Sequence, residues 1–237
     1  MKPSSNLLVA LTLILSMLNI ACATNHGHSK EGLPVTSIEQ SQLTPDSVLA
    51  DLKKGNAEFV AGHYHIPAVT KSIEAAQAGQ FPKAYILSCV DSRVPVELVF
   101  NQGIGDIFVG RVAGNAENID QLGSMEFASA VAGVKLIVVL GHEACGAIKG
   151  ACDAVELGNL TMLLEKLAPA VNAVDGFEDR SSKNLEFVDA VVKTNVKRTV
   201  SDIRSRSTVL AGLEAAGKIE IVGAYYSLKD GSVTFMD

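Results

Sequence analysis

The pattern of apolar and polar residues changes its period several times along residues 44–237. Continuous apolar runs, which are typical of buried strands, occupy residues 84–88, 135–140 and 219–226, and a fourth strand is expected at 106–111. The stretches between these runs carry apolar residues at helical spacing. Because strands alternate with helices, the pattern predicts an α/β fold in which a mostly parallel central sheet is flanked by helices.

Helix signals surround this predicted sheet. Thr44 and Pro45 have the features of an N-cap and a first helical residue, so we expect an N-terminal helical arm at 45–61. Gly231 can turn the chain into a last edge strand. The remaining helices are expected at residues 72–78, 119–132, 144–174 and 184–216, and the edge strand at 233–235.

Residues 1–23 differ from the rest of the chain. Lys2 precedes an apolar stretch, residues 7–20, which is too short to span a bilayer and has the length of a secretory signal. We therefore predict a signal peptide. Two cleavage sites are possible. Cleavage after Ala23 follows the small-x-small rule, whereas cleavage before Cys22 would leave Cys22 as a lipid-bearing first residue. A retained membrane anchor is disfavoured because the apolar stretch is short.

Export implies a periplasmic protein, anchored to a membrane if Cys22 is lipidated. The segment 24–43 is largely polar and contains several Gly, Pro and His residues, so it is predicted to be a flexible tether. Residues 44–237 are then a single folded domain.

Composition sets limits on the number of domains and on the partners. A chain of 237 residues with 48% hydrophobic content can bury one sizeable α/β core and is too short for two comfortable domains. The formal net charge is −6, and no basic stripe is apparent. Nucleic acid is therefore not expected as a partner.

Residues able to bind a metal follow two of the predicted strands. Cys89, Asp91 and Arg93 come directly after the first strand, and His142 and Cys145 follow the third. Open α/β sheets bind ligands at the carboxyl ends of their strands. Two thiolates and an imidazole suit zinc better than calcium or magnesium. We expect Zn²⁺ bound by Cys89, His142 and Cys145, with Asp91 as an exchangeable oxygen ligand.

The ordered set Cys-x-Asp-x-Arg and His-x-x-Cys-Gly, with Arg-Val-Ala-Gly-Asn at 111–115 between them, resembles the β-class carbonic anhydrases. The resemblance runs from about Asp46 to the C-terminus. It implies a zinc enzyme that interconverts carbon dioxide and bicarbonate, here of a bacterial, exported kind. It also implies that the fourth zinc position is taken either by water or by Asp91.

Asp91 and Arg93 are the predicted catalytic residues. They lie two residues apart after a strand, so a bidentate carboxylate–guanidinium pair can form and hold Asp91 off the metal. An Asp91 carboxylate held in this way could orient the reacting water. The alternative is that Asp91 and Ser92 only cap a helix at 96–100.

Two further residues are predicted to bind substrate. The resemblance implies a pocket glutamine in the region of Gln80, although an ordinary loop role fits Gln80 equally well. Gly146 follows the last zinc ligand at an expected helix start, where a small residue lets backbone amides approach the metal loop. This chain has no tryptophan, whereas some members of the family carry one in a separate bicarbonate site.

The main alternative to zinc is a disulfide between Cys89 and Cys145, since exported proteins often pair their cysteines. A disulfide would require neither His142 nor Asp91 at these positions, so we favour zinc. Cys152 lies seven residues beyond Cys145 and is predicted to be a core residue, because the ligand set is already complete without it.

Two alternative functions remain at this point. The first is a hydrolase of the same fold that acts on carbon disulfide or carbonyl sulfide. The second is a non-catalytic zinc module in which Asp91 is a permanent ligand; Arg93 argues against it, because a structural site needs no partner that removes its fourth ligand.

The predicted helix 119–132 bears more apolar surface than one small sheet face can cover. We therefore expect a homodimer or a homotetramer, with the zinc near a subunit boundary. The family resemblance also implies that the neighbouring subunit helps to form the wall of the pocket.

Overall fold

The computed structural model describes residues 33–63 and 69–236. Its centre is one sheet of five strands in the order β2-β1-β3-β4-β5. The first four strands are parallel, and the last is antiparallel to its neighbour. The strands are β1 (Ala84–Ser88), β2 (Ile107–Arg111), β3 (Leu136–His142), β4 (Glu220–Tyr226) and β5 (Val233–Met236). The predicted α/β class, the mostly parallel sheet and the antiparallel edge strand are confirmed.

Helices cover both faces of this sheet. The long helical regions predicted after the third strand are interrupted by turns, so the structure has more and shorter helices than the sequence suggested. The helices are α1 (Ser37–Gln42), α2 (Pro45–Val60), α3 (Val69–Ala76), α4 (Val96–Val99), α5 (Ile119–Glu126), α6 (Gly146–Cys152), α7 (Gly158–Glu165), α8 (Ala168–Asn172), α9 (Leu185–Arg206) and α10 (Thr208–Ala215).

The side chains of β1 alternate between two buried clusters, one on each face of the sheet. Tyr85 and Leu87 belong to a cluster that includes residues of α5, α9 and α10. Ala84 and Ile86 belong to the other, which includes residues of α2 and α4. Every β1 residue is buried, which explains why its sequence is a continuous apolar run rather than an alternating one.

The helix predicted at 119–132 changes its hydrogen-bond pattern in the middle. After α5, a π-helical turn spans Phe127–Val131, and the Ala132 N–H donates to the Phe127 carbonyl oxygen five residues back, at 3.0 Å. Gly133 then adopts a φ of 82°, which ends the helix before β3. A π turn widens the helix and cannot be read from apolar spacing.

The tether prediction is wrong for the part of it that the structure describes next to the domain. Thr36 forms a capping box with Glu39 at the start of α1. Gln40, in the same helix, is buried and donates from Nε2 to the carbonyl oxygens of Pro82 and Ala132, at 2.7 and 2.8 Å. This segment is therefore packed against the sheet, because a side-chain amide satisfies two backbone acceptors there.

The predicted signal peptide, residues 1–23, and Cys22 lie outside the described residues, as does the start of the predicted tether. Within the part of the chain that is described, no helix has the length and apolar character needed to cross a membrane.

The central strands bring the two predicted ligand segments to the same edge of the sheet. Ser88 at the end of β1 lies opposite Leu140 of β3, so Cys89 and His142 follow at nearly the same level. Helix α9 packs closely on β3 there: a Cβ on Gly141 would lie 2.5 Å from the Cγ2 of Val196, so only glycine fits.

Candidate metal centre

Three side chains from three chain segments meet at the carboxyl edge of the sheet. Cys89 follows β1, His142 ends β3, and Cys145 is the N-cap of α6. Their ligand atoms all lie within 4.8 Å of one another, and the two sulfur atoms are 3.9 Å apart. All three residues are buried, so their ligand atoms form a compact site beneath the surface of the chain.

The hydrogen bonds of His142 leave one ring nitrogen ready for a metal. Its Nδ1 lies 2.9 Å from the carbonyl oxygen of Glu143, an acceptor, so Nδ1 carries the proton. The Nε2 atom then bears a lone pair, is buried, and has no hydrogen-bond partner among the described residues. A buried acceptor without a partner, beside two thiols, fits a zinc ion in both geometry and chemistry. The predicted ligands Cys89, His142 and Cys145 are thus brought together.

The two thiols share their protons unequally. The hydrogen bond between them lowers the pKa of Cys89 to about 4 and raises the pKa of Cys145. Burial opposes ionisation of Cys89, while the hydrogen bond from the Gly114 backbone amide favours it. Cys89 is therefore the sulfur that ionises first, and thiolates are the form of cysteine that binds metal.

The disulfide alternative is wrong for this structure. The sulfur atoms of Cys89 and Cys145 are 3.9 Å apart, far beyond a bond length of about 2.05 Å, and both cysteines are free. Cys152 is also free and packs at the margin of the cluster that contains Cys89 and Cys145. Burial raises the pKa of the Cys152 thiol to about 11, and Cys152 is not among the described residues whose ligand atoms meet in the cluster.

Asp91 is turned towards Arg93. The Nε and Nη2 atoms of Arg93 donate to Oδ1 and Oδ2 of Asp91 at 2.9 and 2.7 Å, and the Arg93 backbone N–H donates to Oδ1 at 2.9 Å. These hydrogen bonds lower the pKa of Asp91 to about 2. Oδ2 lies 3.8 Å from Nε2 of His142, so the carboxylate sits beside the ligand cluster while Arg93 holds it. The predicted bidentate pair is present.

The helix-capping alternative for Asp91 and Ser92 is wrong. Helix α4 has Pro95 as its N-cap residue and has no side-chain cap hydrogen bond. The Asp91 side chain instead accepts from the Arg93 backbone two residues on, which is a local turn.

Two residues in the segment 111–115 have contacts for which the sequence suggested no role. Arg111 donates from Nε to the carbonyl oxygen of Cys89 at 2.9 Å and from Nη2 to that of Asp91 at 2.6 Å, so it fixes the ligand loop. The Gly114 N–H points at the Cys89 sulfur, 3.3 Å away. In the sequence, the motif Arg-Val-Ala-Gly-Asn marked this segment as functional, but a motif alone does not show which atoms are in contact.

Gln80 and Gly146, the predicted substrate-binding residues, lie in different places. Gly146 begins α6 directly after Cys145, with open space where a Cβ would stand, so crowding is not the reason for glycine there. Gln80 is exposed and precedes β1 at the amino edge of the sheet. A strand of five residues spans about 17 Å, so Gln80 lies far from the ligand cluster of its own chain.

Known proteins share both the sequence and the fold of this chain. Residues 84–233 match the family model described as carbonic anhydrase. Carbonic anhydrase 2 of Mycobacterium tuberculosis is 40% identical over 192 residues, covering 78% of this chain and 90% of the relative. The carbonic anhydrase of Mycolicibacterium smegmatis is 39% identical over 189 residues, covering 77% and 88%.

Solved structures agree with this match. The β-carbonic anhydrase CafA of Aspergillus fumigatus superposes with a TM-score of 0.61 at 25% identity, covering 81% of this chain and 90% of that one. A β-carbonic anhydrase of Sordaria macrospora, described as tetrameric, gives 0.61 at 24% identity, covering 69% and 85%. On the family match, the mycobacterial relatives and this shared fold, the chain belongs to the β-class carbonic anhydrase family.

Proposed function

We propose that Cys89, His142 and Cys145 hold the zinc ion with which this carbonic anhydrase catalyses the reversible hydration of carbon dioxide to bicarbonate and a proton. The observation that carries the proposal is the buried Nε2 of His142, which has no hydrogen-bond partner within residues 33–63 and 69–236 and lies next to two buried thiols, in a chain of this family. Zinc supplies the activation of water, whose pKa it lowers from about 15.7 towards 7.

The residues of the chain supply orientation and a charge partner. Arg93 holds the Asp91 carboxylate through two side-chain hydrogen bonds, and this fixes the direction in which Asp91 can accept a hydrogen bond from the reacting water. Because Asp91 is engaged by Arg93, it leaves room at the ligand cluster. In the paired state this carboxylate already lies near Nε2 of His142. If the pair with Arg93 breaks, the carboxylate is free to move towards the metal position.

This arrangement disfavours the non-catalytic zinc module. A permanent structural site would keep Asp91 among the ligands, whereas here the carboxylate is paired with Arg93. Stopped-flow hydration of carbon dioxide, with zinc analysis of the same sample, tests the proposed reaction. Carbon disulfide and carbonyl sulfide are assayed in parallel. Hydration slower than turnover of either sulfur compound would contradict the proposal.

We infer that the enzyme works outside the cytoplasm. Support comes from residues 1–23, which have the charge, length and exit sequence of a secretory signal. If the signal peptide is cleaved before Cys22, this residue would carry a lipid anchor. Cell fractionation and mass spectrometry of the mature N-terminus test both points. A lipidated Cys22 and a free N-terminus after Ala23 are the two results consistent with export, and an intact Met1 would contradict it.

We also infer a homodimer or homotetramer. Strand β2 lies at the edge of the sheet, and Phe127, which is 49% exposed, lies beside Phe108 of that strand. Ile119 and Val131, in the same helical region as Phe127, are 74% and 73% exposed. Gln80 lies far from the ligand cluster of its own chain, so a substrate-binding role for Gln80 requires the site of a second copy. The Sordaria macrospora relative is described as tetrameric.

A dilution series tests the assembly proposal: light scattering measures the oligomeric state and the hydration assay measures the activity of the same samples. Activity should fall as the oligomer dissociates, because a half-formed pocket admits bulk water. Gln80→Ala should then lower activity in the intact oligomer. A fully active monomer would contradict the shared pocket.

A further inference from the structure

The metal centre is connected to a buried amide on helix α9. Asn195 is 4% exposed, and its Nδ2 donates to the carbonyl oxygen of Gly114 at 2.8 Å. The two residues are 81 positions apart in the chain. A buried asparagine in a mostly apolar helix face is costly unless it forms hydrogen bonds, and the amide of Asn195 donates to the loop beside Cys89.

Gly114 itself is held in one conformation. Its φ of 73° lies in the left-handed region, and a Cβ there would stand 2.6 Å from Cδ1 of Leu167, so no side chain fits. Its carbonyl group is held by Asn195, and its N–H group donates to the Cys89 sulfur at 3.3 Å. One residue thus connects the helix amide to a predicted zinc ligand.

We propose that Asn195 is a positioning residue for the zinc centre: by holding the Gly114 carbonyl, it aims the Gly114 N–H at the sulfur of Cys89. An N–H donor at a thiolate fixes the direction of the sulfur and withdraws charge from it. Such outer contacts tune the affinity of a metal site and its electronic structure.

Helix α9 also contacts β3, the strand that ends in the predicted ligand His142. Val196, the next residue, packs against Gly141, which precedes His142. Neighbouring residues of one helix therefore contact Gly114, whose N–H meets the Cys89 sulfur, and the strand that ends in His142. The proposal rests on the zinc site proposed above, but it concerns metal binding and is independent of which substrate is hydrated.

A merely structural role for Asn195 makes a different prediction. If the amide only anchors a loop, its loss lowers the free energy of unfolding and leaves the bound metal unchanged. If it positions Cys89, its loss changes the metal site even in fully folded protein. The distinguishing readout is the sulfur-to-metal charge-transfer absorption of the cobalt-substituted protein, because that band reports the electron density on the thiolates.

The experiment compares Asn195→Ala and Asn195→Leu with two controls on the same helix, Thr199→Val and Val200→Ala. Both control residues are buried on α9, and in the part of the chain that the structure describes the side-chain donor to the Gly114 carbonyl is Asn195 and neither of them. We expect the Asn195 variants to bind zinc about tenfold more weakly in competition with a chelator. Their cobalt band should move to longer wavelength, because sulfur regains charge. The controls should lose stability only.

Unchanged zinc affinity and an unchanged cobalt band in a folded Asn195 variant would overturn the proposal. Asn195→Leu keeps the branch at Cγ and fills the site without a donor, so it serves if Asn195→Ala does not fold. A second measurement needs no variant: in cadmium-substituted wild-type protein, NMR should detect coupling between the metal and the Gly114 amide proton through the Cys89 sulfur. Absence of that coupling, with coupling to the cysteine protons visible, would also overturn it.

Discussion

Two buried polar groups lie at opposite ends of strand β1, and they are built in opposite ways. Before the strand, Lys83 is fully buried and pairs with Asp51 of α2, with Nζ and Oδ2 2.7 Å apart. After the strand, Cys89 joins His142 and Cys145 in a cluster that is equally buried. The first group contains both the charge and its counter-charge. The second offers electron pairs that a metal cation can accept.

The difference separates a group that joins parts of the fold from one that binds a ligand. Lys83 also pairs through its backbone, donating to the Asp106 carbonyl oxygen and accepting from the Lys135 N–H at 2.9 and 3.0 Å. It therefore ties the helical arm to three segments of the sheet. The unpartnered Nε2 of His142 would be a defect in such a group, because a buried polar atom without a partner costs about 1–3 kcal/mol. In the metal centre, the lone pair of the same Nε2 atom is available to bind a metal ion.

The largest expected effect is at the metal end. Cys145→Ser should lose the zinc, about one ion per chain, and with it all measurable hydration, since serine replaces a buried thiolate ligand. Metal analysis and circular dichroism measure loss of the ion and of the fold. The matched control is Cys152→Ser, a neighbouring cysteine outside the cluster, which should keep its zinc. Full zinc occupancy in Cys145→Ser would show that the cluster is not the metal site.

The second largest effect is expected at the Lys83–Asp51 pair, which lies before the amino end of β1. Lys83→Met leaves Asp51 buried without its cation and should lower the free energy of unfolding by about 3–5 kcal/mol. The double variant Lys83→Met, Asp51→Leu should recover most of that loss, since neither charge remains. Urea denaturation measures both. Zinc content should stay unchanged in each folded variant. A zinc deficit here would mean that the two ends of β1 are coupled, contrary to the comparison.

The smallest of the three effects concerns the residues beside the ligands. Asp91→Asn and Arg93→Ala should each slow hydration about a hundredfold, equivalent to about 2.7 kcal/mol of barrier, because each removes a positioned charge partner. Stopped-flow assays measure this, with the exposed Ser92→Ala as the control. The two variants should differ at the metal, since Arg93→Ala frees Asp91 to bind zinc whereas asparagine is a poor ligand. The same fourth ligand in both, by X-ray absorption across the pH range, would refute the switch.

Sequence reasoning succeeded where the signal was local. The apolar run at Ala84–Ser88 predicted a buried strand, and the strand is buried at every position. The three zinc ligands were predictable because Cys89 and His142 come at strand ends and Cys145 follows three residues after His142, and parallel pairing brings these segments to one edge. The pair of Asp91 and Arg93 was predictable because two residues in one turn need no other part of the chain to meet.

It failed where a residue's role depends on a distant partner. The polar segment around Gln40 was predicted as a tether, yet Gln40 finds its acceptors 42 and 92 residues away. Arg111 contacts carbonyl oxygens 22 and 20 residues earlier in the chain. No local pattern of polarity distinguishes a side chain that will be solvated from one that will meet a buried acceptor.

The sequence by itself determined the class of fold, the family and the metal-binding residues, because strand periodicity and ligand chemistry are properties of short segments. Only the tertiary structure decided what surrounds those residues: the tautomer of His142, the donor aimed at Cys89, and the helix that holds the donor in place. The physical reason is that hydrogen bonds act over about 3 Å in space. Their partners are therefore selected by how the elements pack, and distance along the chain does not reveal them.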